Sequence, residues 1–213
     1  MKFADSPLMN EIAEDCSVNH VALIPQEVGE LFSFLVESGK YRRILEIGTG
    51  LGYSTLWWAQ AVHPQGGHIV TIERIPQRLE RAREYFSRSS YNDVIKSYVG
   101  DAQDVIPFIE GSFDIIFFDA AMGQYLDFFN NLFPKLIPGG LLIADNIFFE
   151  NLIFLETSQV RRRHRTMQQR LKSFLQLVWE HPDLTTKILS LGDGLVLCRR
   201  HNKRRSEIGH EET

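Results

Sequence analysis

Short apolar segments alternate with amphipathic ones along this chain, and the alternation constrains the fold more than any other feature. Five segments have the length and composition of buried strands: residues 43–47, 68–72, 94–99, 114–118 and 141–144. Helical patterns lie around them, at residues 25–38, 53–63, 76–88 and 125–136. Strands that alternate with helices form a parallel sheet covered on both faces.

The last part of the chain breaks this alternation. Residues 185–191 and 195–199 also have strand-like sequences, but only Gly192-Asp193-Gly194 separates them. So short a connection joins antiparallel strands. We therefore predict an α/β fold with a seven-stranded, mostly parallel sheet, one antiparallel strand and helices on both faces.

Composition narrows the class of protein. The 23 Lys and Arg against 27 Asp and Glu give a net charge of −4, which argues against a generally basic nucleic-acid binder. No signal-peptide pattern or bilayer-length apolar run stands out. Cys16 and Cys198 form no disulfide framework and favour a reducing compartment. We predict a cytoplasmic protein with a helical lead-in over residues 1–24, one domain over residues 25–200 and a frayed tail over residues 201–213.

A glycine-rich loop follows the first predicted strand. The sequence there is L-E-I-G-T-G-L-G-Y, with Glu46 ahead of glycines at positions 48, 50 and 52. Glycines let the backbone turn tightly and approach a ligand, and ligands of parallel sheets bind beyond the carboxyl ends of the strands. A dinucleotide fingerprint would need a third glycine where Tyr53 stands. That spacing disfavours a diphosphate ligand, and so does Glu46, which we expect to face the crevice; the alternative is a plain glycine turn.

Acidic residues also mark the ends of the next two strands. Glu73 can accept hydrogen bonds from ribose hydroxyls, or lie solvated at a helix start. Asp101, in Gly100-Asp101-Ala102, can hold an adenine amino group or merely cap the following helix. With the glycine loop, these acids occupy three consecutive strand ends, which favours an adenosyl ligand.

The segment L-E-I-G-T-G-L-G-Y-S-T, with I-E at the second strand and G-D-A after the third, resembles the class I S-adenosylmethionine methyltransferases, which have a Rossmann-like fold. The resemblance implies that S-adenosylmethionine is the cofactor. Its methionine part would lie against Glu46, Gly48, Gly50 and Ser54. Its ribose would meet Glu73, and its adenine Asp101 and Ala102.

Oxygen-bearing side chains follow the fourth and fifth strands. Asp119 ends the fourth, and Asp145 with Asn146 ends the fifth. If these strands are neighbours, the three side chains converge at one edge of the sheet. Such a donor set, without His or Cys, suits a hard divalent cation, Mg²⁺ first. The alternative is that the acids only cap loops.

The motifs F-D-x-x-F-x-D-A and P-G-G-L-L-I-A-D-N, with G-D-G near the C-terminus, are similar to the metal-dependent O-methyltransferases of the catechol and caffeoyl-CoA type. The resemblance runs over about residues 20–200 and implies a methyltransferase domain at residues 25–200. It assigns metal binding and catalysis to Asp119, Asp145 and Asn146, with Asp119 also beside the cofactor's amino group. It further implies a homodimer.

Met122 departs from this family. Members that methylate small phenols usually carry a lysine three residues after the first metal aspartate, and that lysine helps to deprotonate the acceptor. Methionine cannot act as a base. Either the metal does more of the activation, or the acceptor hydroxyl is intrinsically acidic.

An arginine run precedes the last predicted helix. Thr166 and Gln169 have the spacing of a capping box, which predicts that the run lies in a loop just before the helix. D-A-A-x-G-Q-Y with R-H-R-T is similar to bacterial tRNA methyltransferases that convert 5-hydroxyuridine at the wobble position to 5-methoxyuridine. The resemblance makes the tRNA anticodon loop the candidate partner. Its candidate phosphate contacts are Arg161, Arg162, Arg163 and Arg165, the alternative being a solvated helix start.

Three hypotheses compete. The first is a tRNA 5-hydroxyuridine methyltransferase; the second is a catechol or caffeoyl-CoA-type enzyme acting on a small hydroxylated aromatic. The third is a non-catalytic adenosyl-binding module, which Met122 favours and the metal donors disfavour. Among other candidates, we predict that Trp57 and Trp58 pack in the core, whereas Phe148 and Phe149 either pack or border the acceptor.

Overall fold

The computed structural model describes residues 3–202, and most of them belong to helices and strands around one sheet. The strands are β1 (Arg43–Ile47), β2 (His68–Glu73), β3 (Ile95–Val99), β4 (Phe113–Phe118), β5 (Leu136–Ala144), β6 (Leu184–Leu189) and β7 (Leu195–Arg200). The α-helices are α1 (Pro7–Val18), α2 (Gln26–Gly39), α3 (Tyr53–Val62), α4 (Pro76–Arg88), α5 (Ala102–Val105), α6 (Tyr125–Leu132) and α7 (Arg162–Glu180).

The sheet has the strand order β3-β2-β1-β4-β5-β7-β6. Strands β1 to β5 run parallel to their neighbours, whereas β7 is antiparallel to both β5 and β6. This confirms the predicted seven-stranded, mostly parallel sheet with one antiparallel strand. Chain order reverses between β1 and β4, which makes the carboxyl ends of these two strands the switch point where ligands of such folds bind.

Side chains that alternate along the central strands build two apolar layers, one on each face of the sheet. On one face, the ring of Trp58 stacks on Phe32 with centroids 3.8 Å apart, and Phe117 meets both edge-on. On the other face, Phe118 and Phe174 pack together. Trp57 and Trp58 are both buried, which confirms that they pack in the core.

Several predicted boundaries differ from the structure. Strand β5 begins at Leu136, five residues early, because Leu136 pairs with Phe113 before a register shift. Helix α6 ends at Leu132 and continues as a 3-10 turn, Phe133–Lys135. Helix α2 ends at Gly39, one residue after the predicted end, and the left-handed Lys40 (φ 54°) caps it. Strand β6 ends at Leu189, two residues before the predicted end.

The largest difference concerns the arginine run, which we predicted in a loop. Helix α7 already begins at Arg162, so Thr166 lies inside the helix and does not cap it. Arginine is a good helix former, and no proline or glycine in the run opposes a helix. The capping-box spacing was therefore a chance match.

The lead-in predicted for residues 1–24 contains α1, and its Asp15 carboxylate accepts hydrogen bonds from Arg81 and Tyr85 of α4. Of the predicted tail, residues 203–213 lie outside the described part of the chain. Within residues 3–202, no helix is long and apolar enough to cross a membrane.

Candidate cofactor and metal site

A cleft of about 340 Å³ lies beyond the carboxyl ends of β1, β2, β3 and β4. Its lining includes the glycine loop, the ends of the strands and residues 21–24, between α1 and α2. Most of the predicted site residues line this one cleft: Gly48, Gly50, Ser54, Glu73, Asp101, Ala102, Asp119 and Asn146. The structure therefore brings together residues that are nearly 100 positions apart in sequence.

Gly48 sets how closely the glycine loop approaches the fourth strand. It has a left-handed φ of 106°, and a Cβ built on it would lie 1.9 Å from the carbonyl oxygen of Asp119. The backbone N–H of Asp119 in turn donates to the carbonyl of Ile47 (2.9 Å). Only glycine fits here, and its absent side chain places Asp119 directly beside the loop.

Glu73 is nearly buried at the end of β2, and backbone amides hold its carboxylate. Its two oxygens accept hydrogen bonds from the N–H groups of Gly50 and Ile75, at 2.9 Å each. Each carboxylate oxygen retains a free lone pair in this arrangement. The contacts thus fix the orientation of the carboxylate on the wall of the cleft without exhausting its capacity to accept hydrogen bonds.

We expect Glu73→Ala to weaken binding of S-adenosylmethionine at least tenfold. Each charged hydrogen bond removed is worth about 1.5–3 kcal/mol, and about 1.4 kcal/mol is a tenfold change in affinity. Calorimetry with the folded variant measures the change, and Glu73→Gln, which keeps one carbonyl oxygen, should bind with intermediate affinity. Unchanged affinity in Glu73→Ala would rule out a ribose contact.

Asp101 caps a helix, and its place on the wall of the cleft is compatible with the adenine contact that stays a prediction. Its Oδ1 accepts a hydrogen bond from the backbone N–H of Gln103 (3.0 Å) and caps α5. The residue also lines the cleft, next to the buried Ala102. Capping uses one lone pair of one oxygen, so the carboxylate can still accept from a ligand.

Glu46 does not face the crevice, contrary to our prediction. It is fully buried behind the glycine loop and accepts hydrogen bonds from the hydroxyls of Ser54, Thr55 and Thr71. Burial raises the pKa of this carboxyl to about 7, although the three hydroxyls oppose the rise. Successive side chains of a strand point to opposite faces of the sheet, and that of Glu46 points to the face covered by α3. Its hydrogen bonds therefore fix the start of α3, directly after the glycine loop.

The strand-end acids meet as predicted, because β4 and β5 are neighbours. Phe118 pairs with Ala144 in the sheet register, and the N–H of Asp145 donates to the carbonyl of Phe118 (3.0 Å). Asp119 and Asp145 thus leave adjacent strands at the same level. Asn146 follows with a left-handed φ of 57° and lines the cleft, whereas Asp145 is 3% exposed.

Burial raises the pKa of both carboxyls. The pKa of Asp119 lies well above its usual range, because it is desolvated and faces the charges of Asp145, Glu46 and Glu73. Desolvation raises the pKa of Asp145 to about 6, against the opposing hydrogen bond from the Asn146 N–H. Buried carboxylates held close together are stabilised by a cation between them.

The candidate metal site offers few protein ligands. Within residues 3–202, no three His, Cys, Asp or Glu side chains converge as a metal centre. Two carboxylates and one amide remain, which is the oxygen-only set that a hard divalent cation accepts when solvent or an acceptor supplies further ligands. The residues present therefore fit the predicted ion.

Sequence reasoning missed Tyr125, which ties the two strand ends together. Its buried hydroxyl lies within hydrogen-bond distance of the carbonyls of Phe118 (3.2 Å) and Asp145 (3.1 Å). The hydroxyl has one proton, so it donates to one carbonyl at a time. The available signal was a tyrosine on the otherwise apolar face of α6, because a buried phenol needs a polar partner.

The segment after β5 is fixed by polar side chains of α7. The amide of Gln168, fully buried, donates to the carbonyls of Leu152 (2.7 Å) and Leu155 (2.8 Å). Phe149 is buried and packs against the ring of His164, whereas Phe148 is half-buried and meets the exposed Phe154. Phe149 therefore serves packing, and neither Phe148 nor Phe149 lines the described cleft.

The four arginines of the run have different environments. Arg161, Arg162 and Arg163 are exposed at the start of α7. Arg165 is half-buried, and its guanidinium donates to the carbonyls of Val160 (2.8 Å) and Ser158 (3.0 Å). Arg165 thus holds the segment before the helix. Arg163 donates from Nε to the ring of His164 (2.9 Å), and the side chains of Arg161, Arg162 and Arg163 remain exposed to a partner.

The fold and the cleft together define a class I methyltransferase. The profile of the O-methyltransferase family matches residues 3–201. A catechol O-methyltransferase of Mycobacterium tuberculosis is 30% identical over 212 residues, covering 92% of each chain. A catechol O-methyltransferase of Niastella koreensis is 30% identical over 153 residues, covering 70% of this chain and 68% of that protein. An SAH-bound methyltransferase of Podospora anserina, 25% identical, superposes with a TM-score of 0.81 over 92% of this chain and 89% of its own.

The chain belongs to the O-methyltransferase family. It is an enzyme that depends on S-adenosylmethionine and transfers a methyl group to oxygen, as the catechol and caffeoyl-CoA-type members do.

Proposed function

We propose that this enzyme methylates an acidic hydroxyl on an aromatic ring, held by a divalent cation at Asp119, Asp145 and Asn146. The supporting observation is that Asp119 belongs to both parts of the site. Its carboxylate follows β4 and is one of the three proposed metal ligands. Its backbone carbonyl lies against Gly48 of the glycine loop.

The side chains divide the work of transfer. Glu73 and Asp101 would orient the adenosyl group, whereas the strand-end oxygens would hold the cation. When bound, a divalent cation lowers the pKa of an acceptor hydroxyl and fixes its direction. The chain thereby presents donor and acceptor in a near-attack geometry, and no nucleophilic residue is required.

As the acceptor, we propose 5-hydroxyuridine in the anticodon loop of tRNA. Met122 cannot accept a proton, which favours an enol-like hydroxyl that ionises more readily than a simple phenol. The arginine run supports a phosphate-bearing partner, because α7 packs beside the site. Its Arg170 donates to the carbonyl of Gly123, just after Met122, and its His164 meets the ring of Phe149, just after Asn146.

A small catechol-type acceptor is the second candidate. It is favoured by the two relatives named catechol O-methyltransferases, one of which matches nearly the whole chain. A neutral phenol has no phosphates for arginines to contact, so the two candidates differ in whether the exposed arginines contribute to binding.

The homodimer and the cytoplasmic location stay predictions.

A methyl-transfer assay with labelled S-adenosylmethionine separates the two acceptors. One arm offers bulk tRNA that carries 5-hydroxyuridine but lacks 5-methoxyuridine, and the other offers a panel of catechols, each with Mg²⁺ and with excess chelator. We expect label in tRNA and loss of transfer in chelator. Transfer to catechols alone would establish the second candidate, and full activity in chelator would remove the metal from the proposal.

Arg162→Ala with Arg163→Ala should weaken tRNA binding and transfer, because both exposed side chains can contact phosphates flanking the target base. Removing one phosphate contact lowers the slope of log affinity against log salt by about 0.7 for a single strand, so the pair should flatten it by about one to two units. Binding of S-adenosylmethionine should be unchanged. Arg42→Ala, an exposed arginine at the amino end of β1, is the matched control. Normal tRNA methylation by the double variant at physiological salt would show that the run is only solvated.

A further inference from the structure

The segment after Asp145 has an unusual backbone. Within six residues, four non-glycine residues have left-handed φ values: Asn146 (57°), Phe149 (50°), Glu150 (52°) and Asn151 (65°). Asparagine tolerates this region, but phenylalanine and glutamate rarely adopt it. Such a conformation persists only where the surrounding structure enforces it, and here it begins at a proposed metal ligand.

The turn between β6 and β7 supplies the enforcing contacts. The backbone N–H of Glu150 lies 3.1 Å from both carboxylate oxygens of Asp193. The N–H of Phe148 donates to the carbonyl of Asp193 (2.8 Å), and the N–H of Ile147 donates to the carbonyl of Gly194 (3.1 Å). One residue, Asp193, thus holds the segment through both its backbone and its side chain.

Glycines on either side bring this turn close to both halves of the site. A Cβ on Gly194 would lie 2.6 Å from the ring of Phe148, so the turn packs directly under the segment that follows Asn146. A Cβ on Gly192 would lie 3.1 Å from Pro25, which follows the cleft-lining residues 21–24. The backbone hydrogen bonds alone would survive removal of the Asp193 side chain, whereas the interaction with Glu150 would not.

We propose that Asp193 is a positioning residue of the metal side of the site, whose carboxylate holds the Glu150 amide and so fixes the direction of Asn146. This inference rests on the proposed metal site. Asp193 itself does not line the cleft. It acts through the segment 146–151, as residues behind a metal ligand commonly do.

The test uses the full chain with Mn²⁺ as a paramagnetic probe. Asp193→Ala should raise the dissociation constant of Mn²⁺, measured by electron paramagnetic resonance, about tenfold or more. The affinity for S-adenosylmethionine should stay within about twofold, because the cofactor residues lie on other strands. Amide hydrogen exchange should accelerate in peptides covering residues 146–153 and stay unchanged in β1 and β2.

Two variants control for general damage. Asp193→Asn keeps one carbonyl oxygen to accept from Glu150 and should bind Mn²⁺ within about threefold of wild type. Asp183→Ala removes an exposed carboxylate just before β6 and should match wild type in all three measurements.

Unchanged Mn²⁺ affinity in Asp193→Ala overturns the inference, as does an equal loss of Mn²⁺ and cofactor affinity. A wild type that does not bind Mn²⁺ overturns the metal site and its positioning together. Selective loss of Mn²⁺ affinity supports the inference even where tRNA proves not to be the acceptor.

Discussion

Asp145→Ala should lower methyl transfer on the order of a thousandfold, while S-adenosylmethionine binds nearly as well as to wild type. The loss of a Lewis acid is worth several kcal/mol, and about 1.4 kcal/mol is a tenfold change in rate. Cofactor binding should survive because Asp145 is buried beside the cleft and does not line it. Single-turnover transfer and calorimetry on the same preparation measure the two quantities.

Asp145 gives a cleaner test than Asp119, which touches the glycine loop through its backbone. Wild type in excess chelator should reproduce the variant, and added Mg²⁺ should restore wild type only. Asp104→Ala, an exposed acid on α5 that does not line the cleft, is the matched control. Full activity of wild type in chelator would show that these oxygens serve the fold and not the reaction.

The ends of the strands could be predicted from the sequence because each strand is marked by a strong local pattern. Apolar runs of strand length set which residues end at the edge of the sheet, and a parallel sheet aligns those ends automatically. Glu73, Asp101, Asp119 and Asn146 therefore reach one cleft without any information about long-range packing. The hairpin at Gly192 to Gly194 was equally local, since its length allows only one direction of return.

The misassigned residues depend on contacts that sequence spacing does not encode. The position of Glu46 just before the glycines suggests that its side chain faces the crevice. Its hydrogen-bond donors, however, are hydroxyls of α3 and β2, and they hold the side chain in the interior. Helix α7 begins at Arg162, four residues before the capping-box threonine, and the guanidinium of Arg165 donates to carbonyls of the segment just ahead of it. Asp193 had a visible motif, but its partner Glu150 lies 43 positions away.

Glu46→Gln should remove a pH dependence of stability that burial imposes on the wild type. The folded protein keeps the Glu46 proton up to about pH 7, whereas the unfolded chain releases it near 4.5. Between these values the folded state binds more protons, so the free energy of unfolding falls as pH rises. Integrated over the interval, the fall is about 3 kcal/mol, and it is complete above pH 7.

Urea unfolding of the metal-free protein from pH 4 to pH 8 measures this effect. Asp119 and Asp145, whose pKa values are also raised, give both proteins a fall of the same sign. Only the difference between wild type and Glu46→Gln therefore reports Glu46, and the variant should gain relative stability as pH rises. Parallel curves would mean that the three hydroxyl donors offset desolvation and that Glu46 is ionised in the fold. In that case, the glycine loop would rest on a buried charge and not on a neutral hydrogen-bonded acid.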